Sequence, residues 1–288
     1  MELFQYPYMQ RALIGALVIG LAAPALGIYL VQRRLALIGD GVGHVALTGV
    51  GAGLLLNRSP VLVAVVVATV GAITIELVRA RGRTSGDLAL ALLFYGGIAG
   101  GVMLVGLSDS TSANLNAYLF GSLTTISPAD LTTIAVLGAA ILVTMLALRP
   151  ALFAVCHDEE YARVSGLPVR TLNMLLAVAT AVTVTIAMRA VGVLLISALM
   201  VVPVATAQQV TRGFRSTMAA AMTLGLFAAG SGVWVAANAD TAPGASVVLM
   251  AIASFGVVAV LGAAWRTLRR RRTPAAAPAP EPHEVVLH

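Results

Sequence analysis

The chain has 288 residues, 59% of them hydrophobic and only 10% charged, with a mean hydropathy of +0.95. A soluble domain is about one quarter charged, so a water-soluble surface cannot be built from this composition. All 18 basic residues are arginine, which excludes a Walker A phosphate loop, because that loop needs a lysine to reach the β- and γ-phosphates.

Taken in chain order, nine apolar runs approach the roughly 20 residues that a spanning helix requires. They cover residues 12–32, 38–56, 60–79, 86–107, 129–148, 169–188, 191–208, 215–236 and 245–265. The run 191–208 is the shortest and contains Pro203, so the count is eight if it does not cross fully. The fold class is therefore all-α, a polytopic membrane helix bundle over residues 1–272. The first run is preceded by Glu2 and no cationic segment, so it reads as a span and not as a cleavable signal. The second and third runs are joined only by Asn57–Ser59 and predict a tight antiparallel hairpin. Small residues recur at packing spacing in Gly39/Gly43, Gly49/Gly53, Gly96/Gly100 and Gly97/Gly101, where backbones can approach closely. The stretch Ser108–Pro128 is too polar for a span. It predicts an outer cap, with a short helix at Asn114–Gly121.

Arginine placement orients the bundle. With the N-terminus outside, 15 of the 18 arginines fall on the inner side, and only Arg11, Arg58 and Arg189 fall on the outer one. This pattern, and not nucleic-acid binding, accounts for the sequence pI near 10.2. The C-terminus is then cytoplasmic. Residues 273–288 are rich in proline and alanine and read as a disordered tail, with His283 and His288 as solvated side chains. A single cysteine, Cys156, excludes an intrachain disulfide and a cysteine-cluster metal site.

Polar residues inside apolar runs are few. Asp40 and His44 lie four residues apart and share one helix face, which Thr48 continues by a further turn. Charge in a span faces a bundle interior or a wet path. Carboxylate and imidazole together suit zinc, manganese or iron. The same pattern also fits a helix cap at Asp40 and a hydrogen-bonded core histidine at His44. One chain supplies two ligands, and two copies about a two-fold axis would supply four. Glu76 and Arg79 are spaced for an intrahelical ion pair. Asp87, after Thr84 and Ser85, reads as part of a helix start. Asp109, Asp130 and Asp240 read as outer-rim charges, and Arg189 as rim charge or a contact for an acidic partner.

The loop 156–170, CHDEEYARVSGLPVR, places acidic residues ahead of Arg163 and then breaks at Gly166 and Pro168. That order favours a short surface helix suited to docking another protein.

Several segments together resemble the permease family of ABC importers for zinc, manganese and iron. They are RRLALIGDGVGHVALTGVGAG (33–53), TSGDLALALLF (84–94), NAYLFGSL (116–123), DEEYARVSGLPV (158–169), VGVLLISALMVVPVATA (191–207) and PGASVVL (243–249). The resemblance covers nearly the whole chain except the tail. It implies a type II ABC importer-like fold in the bacterial inner membrane and a homodimer of this chain. It also implies two copies of a separate ATPase below and an extracellular metal-binding protein above, docking near 108–128 and 238–244. Asp40 and His44 match the family's metal-path Asp and His, with Thr48 beside them. The segment carrying Asp158, Glu159, Glu160, Ala162, Arg163, Gly166 and Pro168 matches the loop that engages the ATPase. Where the family carries Leu-Ala before the histidine, this chain has Val42 and Gly43, and Gly43 is expected to loosen the turn.

No catalytic residue and no permanently bound cofactor are expected, the cargo being the Zn, Mn or Fe ion itself. The rival readings are an ABC permease for iron chelates or a corrinoid, which needs a wide cavity and no direct ligands, and an ion-coupled secondary carrier, which places carboxylates at the membrane midplane.

Overall fold

The computed structural model describes residues 6–80, 86–108, 112–122, 126–193 and 195–272. The expectations placed on Thr84, Ser85, Asp109 and the tail 273–288 lie outside the described residues, as does the side chain of Asp87. The described chain is built of twelve helices: α1 (Pro7–Gln32), α2 (Ile38–Leu55), α3 (Pro60–Ala80), α4 (Gly86–Leu107), α5 (Ser112–Phe120), α6 (Pro128–Ala147), α7 (Arg149–His157), α8 (Glu159–Val164), α9 (Val169–Ala187), α10 (Ile196–Gln208), α11 (Phe214–Ala239) and α12 (Pro243–Arg272). Eight of these are long and apolar enough to cross a membrane: α1, α2, α3, α4, α6, α9, α11 and α12.

The ninth expected span, 191–208, is replaced by the 13-residue α10. At about 1.5 Å per residue, α10 rises roughly 20 Å, short of a hydrocarbon core near 30 Å. The chain nevertheless returns across the bundle there. The start of α9 lies beside α8, and the start of α11 packs Phe214 on Phe153 of α7 at 4.8 Å between ring centroids, so both are at one end. The far end of α9 meets the opposite end of the bundle, where Ser122 N–H donates to Arg189 O at 3.4 Å. Residues 188–193 continue the crossing through turns. Gly192 sits at φ +90 and lies against Leu119 and Phe120, where a Cβ would collide with backbone.

The helix ends follow from local chemistry. Ser127 and Asp130 form a capping box at the start of α6: Asp130 N–H donates to Ser127 Oγ at 3.1 Å, and Ser127 N–H to Asp130 Oδ2 at 3.0 Å. The expected α2–α3 hairpin is present, its turn closed by Asn57 at φ +51 and by Arg58 N–H donating to Gly53 O at 2.9 Å. The short helix expected at Asn114–Gly121 is α5. An element the apolar runs did not indicate, α7, follows α6 with Leu148 as the cap between them.

Burial ranks the spans. Helices α1, α2 and α9 are mostly inside, whereas few residues of α4, α6 and α12 are buried. Exposed Leu92, Val136, Val143, Leu249, Val260 and Leu261 form apolar outer faces suited to lipid. The polar stripe of α2 thus lies in the bundle's interior element.

Candidate metal path and coupling end

Helix α2 begins after Leu37, so Asp40 stands in its first turn and does not cap it. Asp40 makes no hydrogen bond or ion pair among the described residues. One turn on, His44 is 8% exposed, and its Nδ1 is buried without a hydrogen-bond partner. A core histidine normally has both nitrogens accounted for, and here Nδ1 is not. Its ring meets Phe94 of α4 edge-on, with centroids 4.3 Å apart. Thr48, a further turn on, donates its hydroxyl to Gly97 O at 2.8 Å, binding α2 to α4 and leaving only oxygen lone pairs for a path.

Two glycines set the depth of this site. A Cβ on Gly97 would lie 2.6 Å from His44 C and Val45 N, so α4 approaches the α2 backbone at the histidine itself. A Cβ on Gly43 would lie 2.9 Å from Val193 Cγ2. Gly43 is therefore a close-packing position against the turn before α10 and does not loosen the helix. Gly49, Gly53, Gly100 and Gly101 also meet neighbours closely, whereas Gly96 faces open space and takes no part in packing. Ser197 of α10 abuts Gly39 and has a buried, unpartnered Oγ. It joins the polar atoms near the start of α2, and as one serine in an apolar run it gave no signal in the sequence. No group of three or more His, Cys, Asp or Glu side chains gathers among the described residues, so one chain supplies at most the Asp40–His44 pair.

At the end of the bundle where α2 begins, Asp158 caps α8 by accepting from Tyr161 N–H at 2.9 Å, with Glu159 and Glu160 in the first turn and Arg163 in the last. Gly166, at φ +80, turns the chain toward Pro168, which caps α9. The residues expected to serve docking divide in two. Ala162 is fully buried, and Glu159 accepts from both Arg33 (3.4 Å) and Arg163 (3.3 Å), so these shape and seat the helix. The side chains that project are Glu160, Arg163 (68% exposed) and two that sequence reasoning did not single out, Tyr161 (67% exposed) and Val164 (88% exposed). Beside α8 lies a cleft of about 830 Å³ lined by Glu76, Glu159, Arg163, Arg170 and Asn173. Glu76 pairs with Arg79 at 3.0 Å, as the spacing predicts. Burial lowers the pKa of the Arg33 guanidinium, and nearby Arg79 adds to that, while Cys156, Glu76 and Glu159 oppose it. Burial pushes the Cys156 thiol up to about 11.

At the opposite end Arg189 donates to Asp130 Oδ2 at 2.7 Å and to Tyr118 Oη at 3.1 Å, and lies over the Tyr118 ring. Arg189 and Asp130 are thus an internal pair tying the start of α6 to the turn after α9, where rim charges were expected. A smaller cleft of about 340 Å³ there brings Ser122, Asp240, Thr241 and Pro243 together with Tyr8.

The chain is similar to the manganese transport system membrane protein of Halalkalibacterium halodurans, at 29% identity over 94% of this chain and 95% of that protein. It is 31% identical to the high-affinity zinc uptake system membrane protein of Haemophilus influenzae, over 83% of this chain and 91% of that one. A solved structure, PsaBC from Streptococcus pneumoniae in complex with Fab, superposes with a TM-score of 0.81 at 30% identity, covering 88% of this chain and 92% of that one. A metal-chelate type ABC transporter in an inward-facing conformation shares the fold at 18% identity and a TM-score of 0.70, covering 87% of this chain and 85% of that one. Residues 5–262 match the ABC 3 transport family, and the chain belongs to that family.

Proposed function

We propose that this chain is the membrane-spanning permease subunit of an ATP-driven importer for divalent transition-metal ions, with Asp40 and His44 as ligands on the ion's path. The observation that carries the site is the buried, unpartnered His44 Nδ1 one turn from an unpaired Asp40. A buried polar atom without a partner is costly unless something else satisfies it, and a carboxylate with an imidazole is a donor set for Zn, Mn or Fe. Relatives named for manganese and zinc support that cargo class.

Two copies of the chain facing each other across a two-fold axis would complete a four-ligand site, loose enough to release its ion. The ATP is used by a separate ATPase, two copies of which dock on α8 through Tyr161, Val164 and Glu160, while an extracellular metal-binding protein delivers the ion to the Arg189 end. The α8 end faces the cytoplasm, as the arginine distribution directs. Residues 1–272 form the permease domain and 273–288 a tail outside it.

The iron-chelate and corrinoid readings need a wide cavity and leave the Asp40–His44 pair without a task. The test is ATP-dependent uptake of zinc and manganese into liposomes carrying the chain, its ATPase and its binding protein. Wild type is expected to accumulate ion, and Asp40→Ala/His44→Ala to assemble yet fall to background. Undiminished uptake by the double variant would refute the metal-path role. Absence of uptake of either ion by wild type would refute the bare-ion cargo.

A further inference from the structure

We propose that Arg33 is the positioning residue that transmits movement of α8 to the ion-binding face of α2. The inference rests on the permease reading above. Arg33 follows the last residue of α1, and its side chain is only 8% exposed. Its guanidinium forks. Nη1 donates to Asn173 Oδ1 of α9 at 2.7 Å, and Nη2 donates to Glu159 Oε2 of α8 at 3.4 Å. A planar guanidinium can hold two partners in fixed directions, which a lysine cannot.

The two arms differ in kind. Asn173 is buried, and its bond is short, so that arm is a fixed anchor within the bundle. The Glu159 side chain is 42% exposed, its bond to Arg33 is long, and it has a second partner in Arg163 at 3.3 Å. Glu159 can therefore exchange Arg33 for Arg163 without leaving its carboxylate unpaired. That is the property a contact needs if it is to be made in one state of α8 and broken in another.

The route from the guanidinium to the candidate ligands is short and stiff. Arg34 takes the left-handed conformation at φ +59. Its N–H donates to Val31 O at 3.1 Å, Leu35 N–H to Leu30 O at 2.8 Å and Ile38 N–H to Leu35 O at 3.0 Å. These backbone hydrogen bonds hold the corner between α1 and α2, and Asp40 stands seven residues after Arg33, in the first turn of α2. A buried guanidinium is an expensive way to fill space, since an apolar group would pack the same gap at no desolvation cost. Its position between the docking helix and the metal-bearing helix gives it a task that packing alone does not.

The test uses the full complex in liposomes and reads three quantities: co-purification of the ATPase, ATP hydrolysis, and manganese ions moved per ATP. Arg33→Gln and Glu159→Gln are each expected to lower ions per ATP at least tenfold, with the ATPase still bound and still hydrolysing. The exchanged pair Arg33→Glu/Glu159→Arg is expected to recover part of the ratio lost by Arg33→Glu alone. An unchanged ratio in Glu159→Gln, or hydrolysis and uptake falling in the same proportion, would overturn the proposal. If Arg33→Gln does not assemble, the exposed Glu159→Gln and the exchanged pair decide it. The wild-type arm separates this from the parent reading: a wild-type complex that moves no metal with ATP would sink the importer itself, whatever the variants do.

Discussion

His44 and Gly97 meet where α4 lies backbone to backbone on α2, and a methyl group added there has nowhere to go. The Cβ of Gly97→Ala would lie 2.6 Å from the His44 carbonyl carbon, against backbone that cannot rotate away. Separating α4 from α2 is expected to cost about 1–3 kcal/mol and to lower the thermal midpoint of the detergent-solubilised chain. The control is one residue away. Gly96→Ala meets nothing within 4 Å and should be neutral or gain up to about 1 kcal/mol in helix propensity. Equal behaviour of the two would show that the α2–α4 approach is not tight. Cys156 supplies a second residue-scale expectation. Burial raises its thiol from 9.0 to about 11, so the native state holds its proton where the unfolded chain has lost it. Stability from this source is complete below about pH 9 and is lost as pH rises toward 11, because the unfolded state binds fewer protons there. Alkylation by a maleimide in the folded chain should be slow at pH 8 and accelerate up to about pH 11. Cys156→Ser should lack the alkaline loss of stability, as read by denaturation midpoints between pH 8 and 11.

At the scale of elements, α8 shows how one sequence stretch divides into a buried seat and an exposed face. Asp158 caps the helix and Ala162 packs beneath it, while Tyr161 and Val164 project. Asp158→Ala should cost about 1 kcal/mol of local helix stability. Tyr161→Asp/Val164→Asp should leave the chain's thermal midpoint unchanged, since neither side chain is buried, yet abolish co-purification of the ATPase. Retained co-purification would place the docking surface elsewhere. The same region shows what was legible in advance. The acidic-then-basic order and the Gly166 and Pro168 breaks identified a short helix, because caps and breakers act locally. The eight long spans were equally visible, because apolar run length is a property of neighbours in the chain. The run 191–208 left eight or nine spans open because its first residues are as apolar as a span. Only the backbone shows that Gly192, at φ +90, belongs to a turn against Leu119 and Phe120. The Arg33–Asn173 bond joins residues 140 positions apart, and no periodicity reports such a pair. For the candidate site, the Asp40–His44–Thr48 face could be read from spacing. That Thr48 spends its proton on Gly97, and that Ser197 approaches Gly39, depends on which helix lies alongside α2.

At the scale of the molecule, the short α10 still returns the chain across the bundle, so Tyr6 and Pro243 sit at one end and α8 at the other. With Cys156→Ser as background, a cysteine at Asp240 should react with an impermeant maleimide from outside intact cells, and one at Glu160 only after permeabilisation. The reverse pattern would invert the proposed orientation. The proposed two-ligand site also has consequences for stoichiometry. A single Asp40–His44 pair leaves a transition metal short of the four ligands that a tetrahedral site uses, and no third acidic, histidine or cysteine side chain joins it among the described residues. If two copies complete one site across a two-fold axis, calorimetric titration of the purified transporter with zinc should saturate at about one ion per two chains, and His44→Ala should remove the binding. Mixing wild-type and His44→Ala chains in one dimer should weaken it, because each half of the site depends on the other. Saturation at one ion per chain, with mixed dimers keeping wild-type affinity on the intact half, would make each chain's site self-sufficient and remove the two-fold site from the mechanism.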